Sequence, residues 1–585
     1  MLACAALVRL AFVPAASHYE ISAYASVPLE FWVLAFGGLS IGCFALLANA
    51  STEKIPHVSR IAFIGVMTSN AVLMLVPIFK GYYIFGRGDV LFHYGEIGAI
   101  SASGHLPSDL FYPLDHINVT IISSITGISV GALSAIWPLV TVMLYMAGFA
   151  LLTREIVNRD TDRMIVLAFL GALPFGVGGI FMLAPSIQAF DLMPLIVFLF
   201  LRSALSPSKV RFSVFLVVMI SAAVLYHPLD AILLALIFAL TAPILRLARS
   251  SGGKERNVHK DELDHTRGFM FPIATSITIL LVILLGWNLS FSKTGNFIAS
   301  LIADLSGNPS LSPAQFYAES LSQTHMDPFH LAIFGLGEYG GYAVLVILGA
   351  YVSYKILSDR NSDGSGARVG AYKFILAGHW TLLILTLLGF VITLLVGIRY
   401  VKDFVFFATF LVGIGLAGLA VKNQGHLRKS ILVITASAIL LLICISTVQL
   451  YSAPTLTFYP NSQLTEMEFD GGGWFLEKRD ANLPTGNLVF DIQQMPNPPN
   501  TTKLSIRTAQ VPNHFSYDNR VQLGDYYSSA TYLLITELGR DWYPEARPGL
   551  ESHWLWTPED FSNLEMDSSV VRIFSDGGFD AYLVK

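Results

Sequence analysis

Charge is scarce in this chain. Asp, Glu, Lys and Arg make up only 13% of its 585 residues, where a soluble domain carries about a quarter. That scarcity excludes an ordinary soluble fold, and a 54% hydrophobic content points instead to a membrane protein. Cysteine is nearly absent. Cys4, Cys43 and Cys444 all lie in apolar stretches, and no two have metal or redox spacing, so no disulfide framework follows. No basic tract invites nucleic acid, and no GxxxxGKS/T phosphate loop supports an ATP-driven pump. Internal repeats and low-complexity tracts are missing as well.

Apolar runs near bilayer-crossing length recur from Pro28 to Leu450. Candidate spans are 28–50, 60–79, 131–153, 164–182, 186–202, 212–226, 229–247, 268–287, 341–358, 374–396, 403–421 and 430–450. The N-terminal stretch 1–16 reads as a short membrane helix rather than a signal peptide, because Arg9 lies inside the apolar run and not before it. Bases then set the orientation. One set of alternate loops is rich in them, with Lys54, Arg60, Arg154, Arg159 and Arg163 among its members, whereas the other set holds only Lys80, Arg87, Lys293, Arg399 and Lys402. By the positive-inside rule the first set faces the cytoplasm.

From Tyr451 onward the hydrophobic runs shorten. NLVFDI (487–492), YLLITEL (532–538), VVRIFS (570–575) and FDAYLVK (579–585) read as strands between turns. The expected fold is an α-helical polytopic membrane protein of about twelve or thirteen spans over 1–450. Its outward loops are 80–117 and 288–340, and an extracytoplasmic α+β domain occupies 451–585. The expected location is the cell membrane, multi-pass, with the C-terminal domain outside. The cytoplasmic segment 251–268 reads as a solvated loop.

Ionisable residues crowd the first outward loop, Gly86 to His116. Asp89, His93 and Glu96 have helical spacing, which would turn a base, an imidazole and a second carboxylate toward one point. Such a group can take a proton from an acceptor hydroxyl or hold a divalent ion through hard oxygen ligands. The plainer reading is that Asp89 caps a short helix and the others face water. Asp115 and His116 close the loop as a second candidate, for binding substrate or its phosphate. Arg399 ends an apolar helix in GIRYVKDF, with Lys402 one turn on, on the face where bases are rare. A guanidinium there suits a phosphate, though it also suits snorkelling to lipid headgroups. His227 in LYHPLDA stands at an outward hairpin tip. Glu338 in GLGEYGG sits where glycines let a substrate come close.

GDVLFHYGE in an outward first loop, an outward loop further on, GIRYVKDF at a late helix end and a C-terminal outside domain together resemble the GT-C superfamily of polytopic membrane glycosyltransferases. The closest likeness is to archaeal and bacterial members, with a more distant one to oligosaccharyltransferase catalytic subunits. The resemblance implies transfer of a sugar from a polyprenyl-phosphate-linked donor to a glycan, lipid or protein acceptor on the outer face, as in cell-envelope glycosylation. It makes Asp89 the catalytic base or metal-positioning carboxylate and Arg399 the holder of the lipid phosphate, and it aligns Glu338 with a loop glutamate of the oligosaccharyltransferase branch. EFDGGGWFLEKRD lacks the WWDYG signature of that branch, which counts against transfer to peptide sequons. The outward loops and the tail carry no clear DxD pair either, so a divalent cofactor (Mg or Mn, on Asp89 if anywhere) stays open.

The expected function is therefore glycosyl transfer. Its main rival is a transporter or flippase of a lipid-linked or small polar substrate. Transporters carry midplane charges and internal repeats, whereas the charges here gather at one boundary. A non-catalytic scaffold would leave the acidic loop unexplained.

Overall fold

The computed structural model describes residues 1–52, 56–172, 182–205, 209–250, 259–291, 295, 328–358, 366–392, 401–422, 426–451, 460–490, 492–496, 506–519 and 521–585. Apolar segments become helices because only a helix satisfies every backbone N–H and C=O within the segment itself. In chain order they are α1 (Leu2–Leu10), α2 (Ala23–Ser26), α3 (Leu29–Thr52), α4 (Pro56–Met74), α5 (Val76–Phe79), α6 (Asp89–Ser103) and α7 (Leu114–Thr126). Then follow α8 (Val130–Ile156), α9 (Asp160–Ala172), α10 (Pro185–Asp191), α11 (Met193–Leu205), α12 (Lys209–Tyr226), α13 (Pro228–Ser250) and α14 (His259–Asn288). Four more long helices come after them, at Pro328–Ser358, Gly366–Ile392, Val401–Lys422 and His426–Leu450.

Among the described residues, Leu29–Ala50, His57–Met74, Val130–Ile156 and Pro185–Ala204 are long and apolar enough to cross a bilayer. Seven shorter apolar helices accompany them. The chain is a membrane protein on that ground. Each expected span falls on a described helix, although the stretches 173–181 and 393–400 lie outside the described residues.

Three expectations change. The segment 80–117 is not an open loop: α6 and the start of α7 fill most of it. The helix of the next-to-be-expected loop begins at Pro328, so Glu338 lies inside a helix, and α14 begins at His259, within the stretch read as solvated loop. At His259 residues with good helix propensity, such as Lys260, Glu262, Leu263 and Arg267, extend the apolar helix backwards into polar sequence. Helix α1 has only nine residues, against about 20 for a crossing helix. It packs beside α3 and α4.

Beyond the last long helix, a four-stranded sheet forms from β3 (Thr485–Leu488), β4 (Thr531–Thr536), β5 (Val570–Ser575) and β6 (Phe579–Val584), in the order β3-β4-β6-β5. β3 runs parallel to β4, while β6 is antiparallel to both of its neighbours. The four strands match the four expected from sequence to within a few residues. Helix Glu466–Lys478 lies against β6, opened by a capping box in which Thr465 and Glu468 satisfy each other's backbone N–H. Gly471 admits the Phe579 ring, since a Cβ there would stand 2.5 Å from it.

A second, two-stranded sheet joins the two parts of the chain. β1 (Ile84–Phe85) pairs antiparallel with β2 (Gln463–Leu464). An N-terminal strap lies beside it. Glu20 accepts a 2.7 Å ion pair from buried Lys80 and a 2.7 Å hydrogen bond from the Tyr82 hydroxyl. Asn461 donates to the Glu20 carbonyl, and Gln463 accepts from the Glu20 amide. Lys80 and Arg87, two of the few bases expected on the outer side, are thus both used inside this junction (Arg87 is described below).

In the helical part, α3 packs on α4 and α9. Gly171 of α9 makes this close approach feasible: a Cβ there would lie 2.6 Å from the Val66 side chain and 2.9 Å from Cys43 Sγ. Gly171→Leu should therefore overpack the contact and cost about 1–3 kcal/mol. A lowered thermal midpoint in detergent is the expected reading, and an unchanged midpoint would contradict this packing.

Candidate functional site

Two glycines turn the chain from β1 into α6. Gly86 (φ 130°) and Gly88 (φ 60°) adopt backbone conformations that disfavour a side chain. Asp89 then occupies the first turn of α6, where a carboxylate complements the helix dipole. It is exposed. One turn on, His93 is buried, and Glu96 is half-buried. The three residues share a helix, but only the histidine turns into the protein.

His93 meets α7. Its Nδ1 lies 3.0 Å from Nε2 of His116, so one ring donates to the other. His116 and its neighbour Asp115 are each 1% exposed. Asp115 stands in the first turn of α7, just after Pro113. Trp137 of α8 donates its indole N–H to Asp115 Oδ1 at 2.6 Å, whereas Oδ2, equally buried, has no hydrogen-bond partner. The Tyr112 ring stands among three imidazoles, its centroid 5.9 Å from His93, 6.3 Å from His116 and 6.1 Å from His227.

Neighbouring helix ends hold this segment. Asn118 donates to the Tyr226 hydroxyl at the end of α12, and Trp287 of α14 donates to the Phe111 carbonyl. His227 sits at the entry to α13, with Nδ1 2.8 Å from Asp230 Oδ2. The ends of α6, α7, α8, α12, α13 and α14 therefore converge on residues 111–118.

Burial sets the electrostatics. It pushes the Asp115 carboxyl up to about 7, with the Trp137 hydrogen bond pulling the other way. It brings His116 down to about 4, opposed by the Tyr112 backbone. His93 is held well below the usual imidazole range, by burial first and then by His116 and His227. Near neutrality the site thus contains two neutral imidazoles, linked to each other, and a carboxyl that titrates there. Such a group can receive or return a proton at a hydroxyl.

Of the residues singled out in the sequence, the structure brings together His93, Asp115, His116 and His227. Asp89 stands at the start of the same helix as His93, exposed. Glu338 belongs to helix Pro328–Ser358 and Lys402 to helix Val401–Lys422, while Arg399 lies outside the described residues. Among the described residues no three His, Cys, Asp or Glu side chains are grouped to hold a metal ion. Sequence reading missed Tyr112 and Trp137. A tryptophan near the start of an apolar helix gives no sign that its N–H will find a carboxyl on the preceding helix.

No family model matches the chain, and no curated protein matches it. Among solved structures it is similar to the oligosaccharyltransferase of Archaeoglobus fulgidus in complex with Zn and sulfate, at 14% identity and a TM-score of 0.48, over 88% of this chain and 72% of that one. It is also similar to ArnT from Cupriavidus metallidurans bound to undecaprenyl phosphate, at 11% identity and a TM-score of 0.42, over 90% of this chain and 98% of that one. A third is the arabinofuranosyltransferase AftD from Mycobacteria, at 10% identity and a TM-score of 0.45, over 89% of this chain and 41% of that one.

The two buried groups on α7 have opposite pH signatures. A carboxyl held up at about 7 favours the folded state at low pH and loses that advantage as pH rises from about 4 to about 7. An imidazole held down at about 4 favours the folded state above its ordinary value and loses that as pH falls toward 4. The two slopes oppose each other in the native chain. Asp115→Asn removes the first, so the thermal midpoint of that variant should climb more steeply between pH 4.5 and 7 than that of the native protein. Parallel curves for the two proteins would refute the burial of an ionisable carboxyl at this position.

Proposed function

We propose that the chain is a membrane glycosyltransferase, moving a sugar from a polyprenyl-phosphate-linked donor to an acceptor hydroxyl on the outer face of the membrane. The observation that carries this reading is the buried His93–His116 imidazole pair, with the buried Asp115 carboxyl next to His116 on α7, set at helix ends beside the exposed start of α6. A carboxylate at the exposed start of α6, one turn before a buried imidazole, suits proton transfer at a hydroxyl. Its place at the ends of apolar helices suits a substrate whose tail stays in lipid while its head meets water. The resemblance of GDVLFHYGE to the GT-C first-loop motif points the same way.

In the proposed reaction Asp89 takes the acceptor proton, and the acceptor oxygen forms a bond to the anomeric carbon. The bond from that carbon to the phosphate oxygen breaks, and its electron pair leaves on the lipid phosphate. Arg399 and Lys402 offset the charge that grows there. On this reading Asp115, His116, His227 and Glu338 serve substrate binding, with His93 held against His116. Residues 451–585 form the outside domain on this reading, and the acceptor is a glycan, lipid or protein.

The test uses the full chain in proteoliposomes with a panel of radiolabelled polyprenyl-phosphate-linked hexoses and pentoses. Asp89→Asn should cut transfer by about 10²–10⁴-fold, with the protein still present in the membrane. Full activity of that variant ends its role as base. Movement of label across the bilayer, with none reaching an acceptor, would replace the enzyme reading by that of a transporter.

A further inference from the structure

Arg87 stands two residues before Asp89 and reaches out of the helical part. Its Nη2 donates to both carboxylate oxygens of Glu468, at 2.9 and 2.8 Å. The Glu468 side chain is fully buried, and that of Arg87 is 18% exposed. The guanidinium also lies over the Tyr19 ring, 5.1 Å from its centroid. Tyr19 in turn donates its hydroxyl to the Asn461 carbonyl, beside β2. The Gly86 amide donates to the Ser462 carbonyl at 2.8 Å, continuing the β1–β2 ladder up to the helix start.

A further contact grips α6 from the tail side. Gly95 lies so close to Pro496 that a Cβ would stand 3.0 Å from it, and the Tyr94 ring packs 5.4 Å from that of Phe469. Helix α6 therefore has two masters. One side gives His93 to His116, and the other is held by residues of the sequence 460–496.

We propose that Glu468 acts as a positioning residue: through Arg87 it fixes the glycine-hinged turn that places Asp89 and the first turn of α6, so the tail sets the geometry of the site. The turn needs such a hold. Gly86 and Gly88 leave it without side chains of its own, and nothing caps α6 at Gly88. A buried carboxylate is costly unless it is paired, so Glu468 keeps its partner tightly. The same carboxylate closes the capping box of helix Glu466–Lys478. One side chain thereby ties the start of a tail helix to the start of α6.

The effect on transfer rests on the proposed function, but the mechanical link does not. Hydrogen exchange of the full chain in detergent, followed by mass spectrometry, tests the link without any substrate. Glu468→Gln and Arg87→Gln should each speed exchange over residues 86–96 about tenfold, while α7 and the sheet exchange as in the native chain. The double variant should be no faster than the single ones, as expected of two residues that act through each other. Thr465→Ala, which breaks the capping box and spares the ion pair, should leave residues 86–96 unchanged. With the panel donor that the native chain turns over, both Gln variants should lose kcat about tenfold, with KM within about twofold. Native exchange over 86–96 in the Gln variants, or additive effects in the double one, would overturn the proposal. If the native chain transfers nothing from the panel, the functional reading falls while the exchange comparison still decides the link.

Discussion

An apolar helical bundle can hold few ionisable groups, and each must find a partner or lose its charge. That constraint organises the whole region around α6. Glu20 meets Lys80, Arg87 meets Glu468, Asp115 meets the Trp137 N–H, and His93 meets His116. None of these contacts is a surface ornament. Each joins separate segments of the chain, Arg87 and Glu468 from positions 381 apart, so polar side chains do the cross-linking that apolar packing alone would leave unspecific.

The partners differ in kind, and the difference matters for chemistry. The two ion pairs balance a charge with a charge and act as fasteners. The α7 cluster has no such balance. Asp115 receives one indole N–H, and the histidines receive each other, so burial is left to move their protonation instead. A group shifted toward neutrality by its surroundings is one that can exchange a proton during a reaction. The fasteners lie at the junction with the tail and the shifted groups at the helix ends, with α6 running between them.

Much of this was legible beforehand. Each apolar run read as a span falls on a described helix, and β5 begins and ends where VVRIFS does. Crowding of Asp, His and Glu between Gly86 and His116 pointed to the region that the structure builds into a site. What was not legible were identities of partners. Helical spacing suggested that Asp89, His93 and Glu96 would face one point, but α6 buries only the histidine, because α7 packs along one side of it. Asp115 and His116 looked secondary to Asp89, yet they are the buried pair. Glu468 gave no signal at all, since a glutamate three residues after a threonine reads simply as a capping box, which it also is.

The sequence by itself determined the environment: too little charge for water, apolar runs that must become helices in lipid, period-two strands in the tail, and one stretch with a surplus of titratable side chains. These follow from composition and local periodicity, which act over a few residues. Only the tertiary structure decided which of those side chains lose their water and to whom they turn. Desolvation and hydrogen bonding depend on segments brought together from positions such as 87 and 468, or 115 and 137, and no local pattern encodes that proximity.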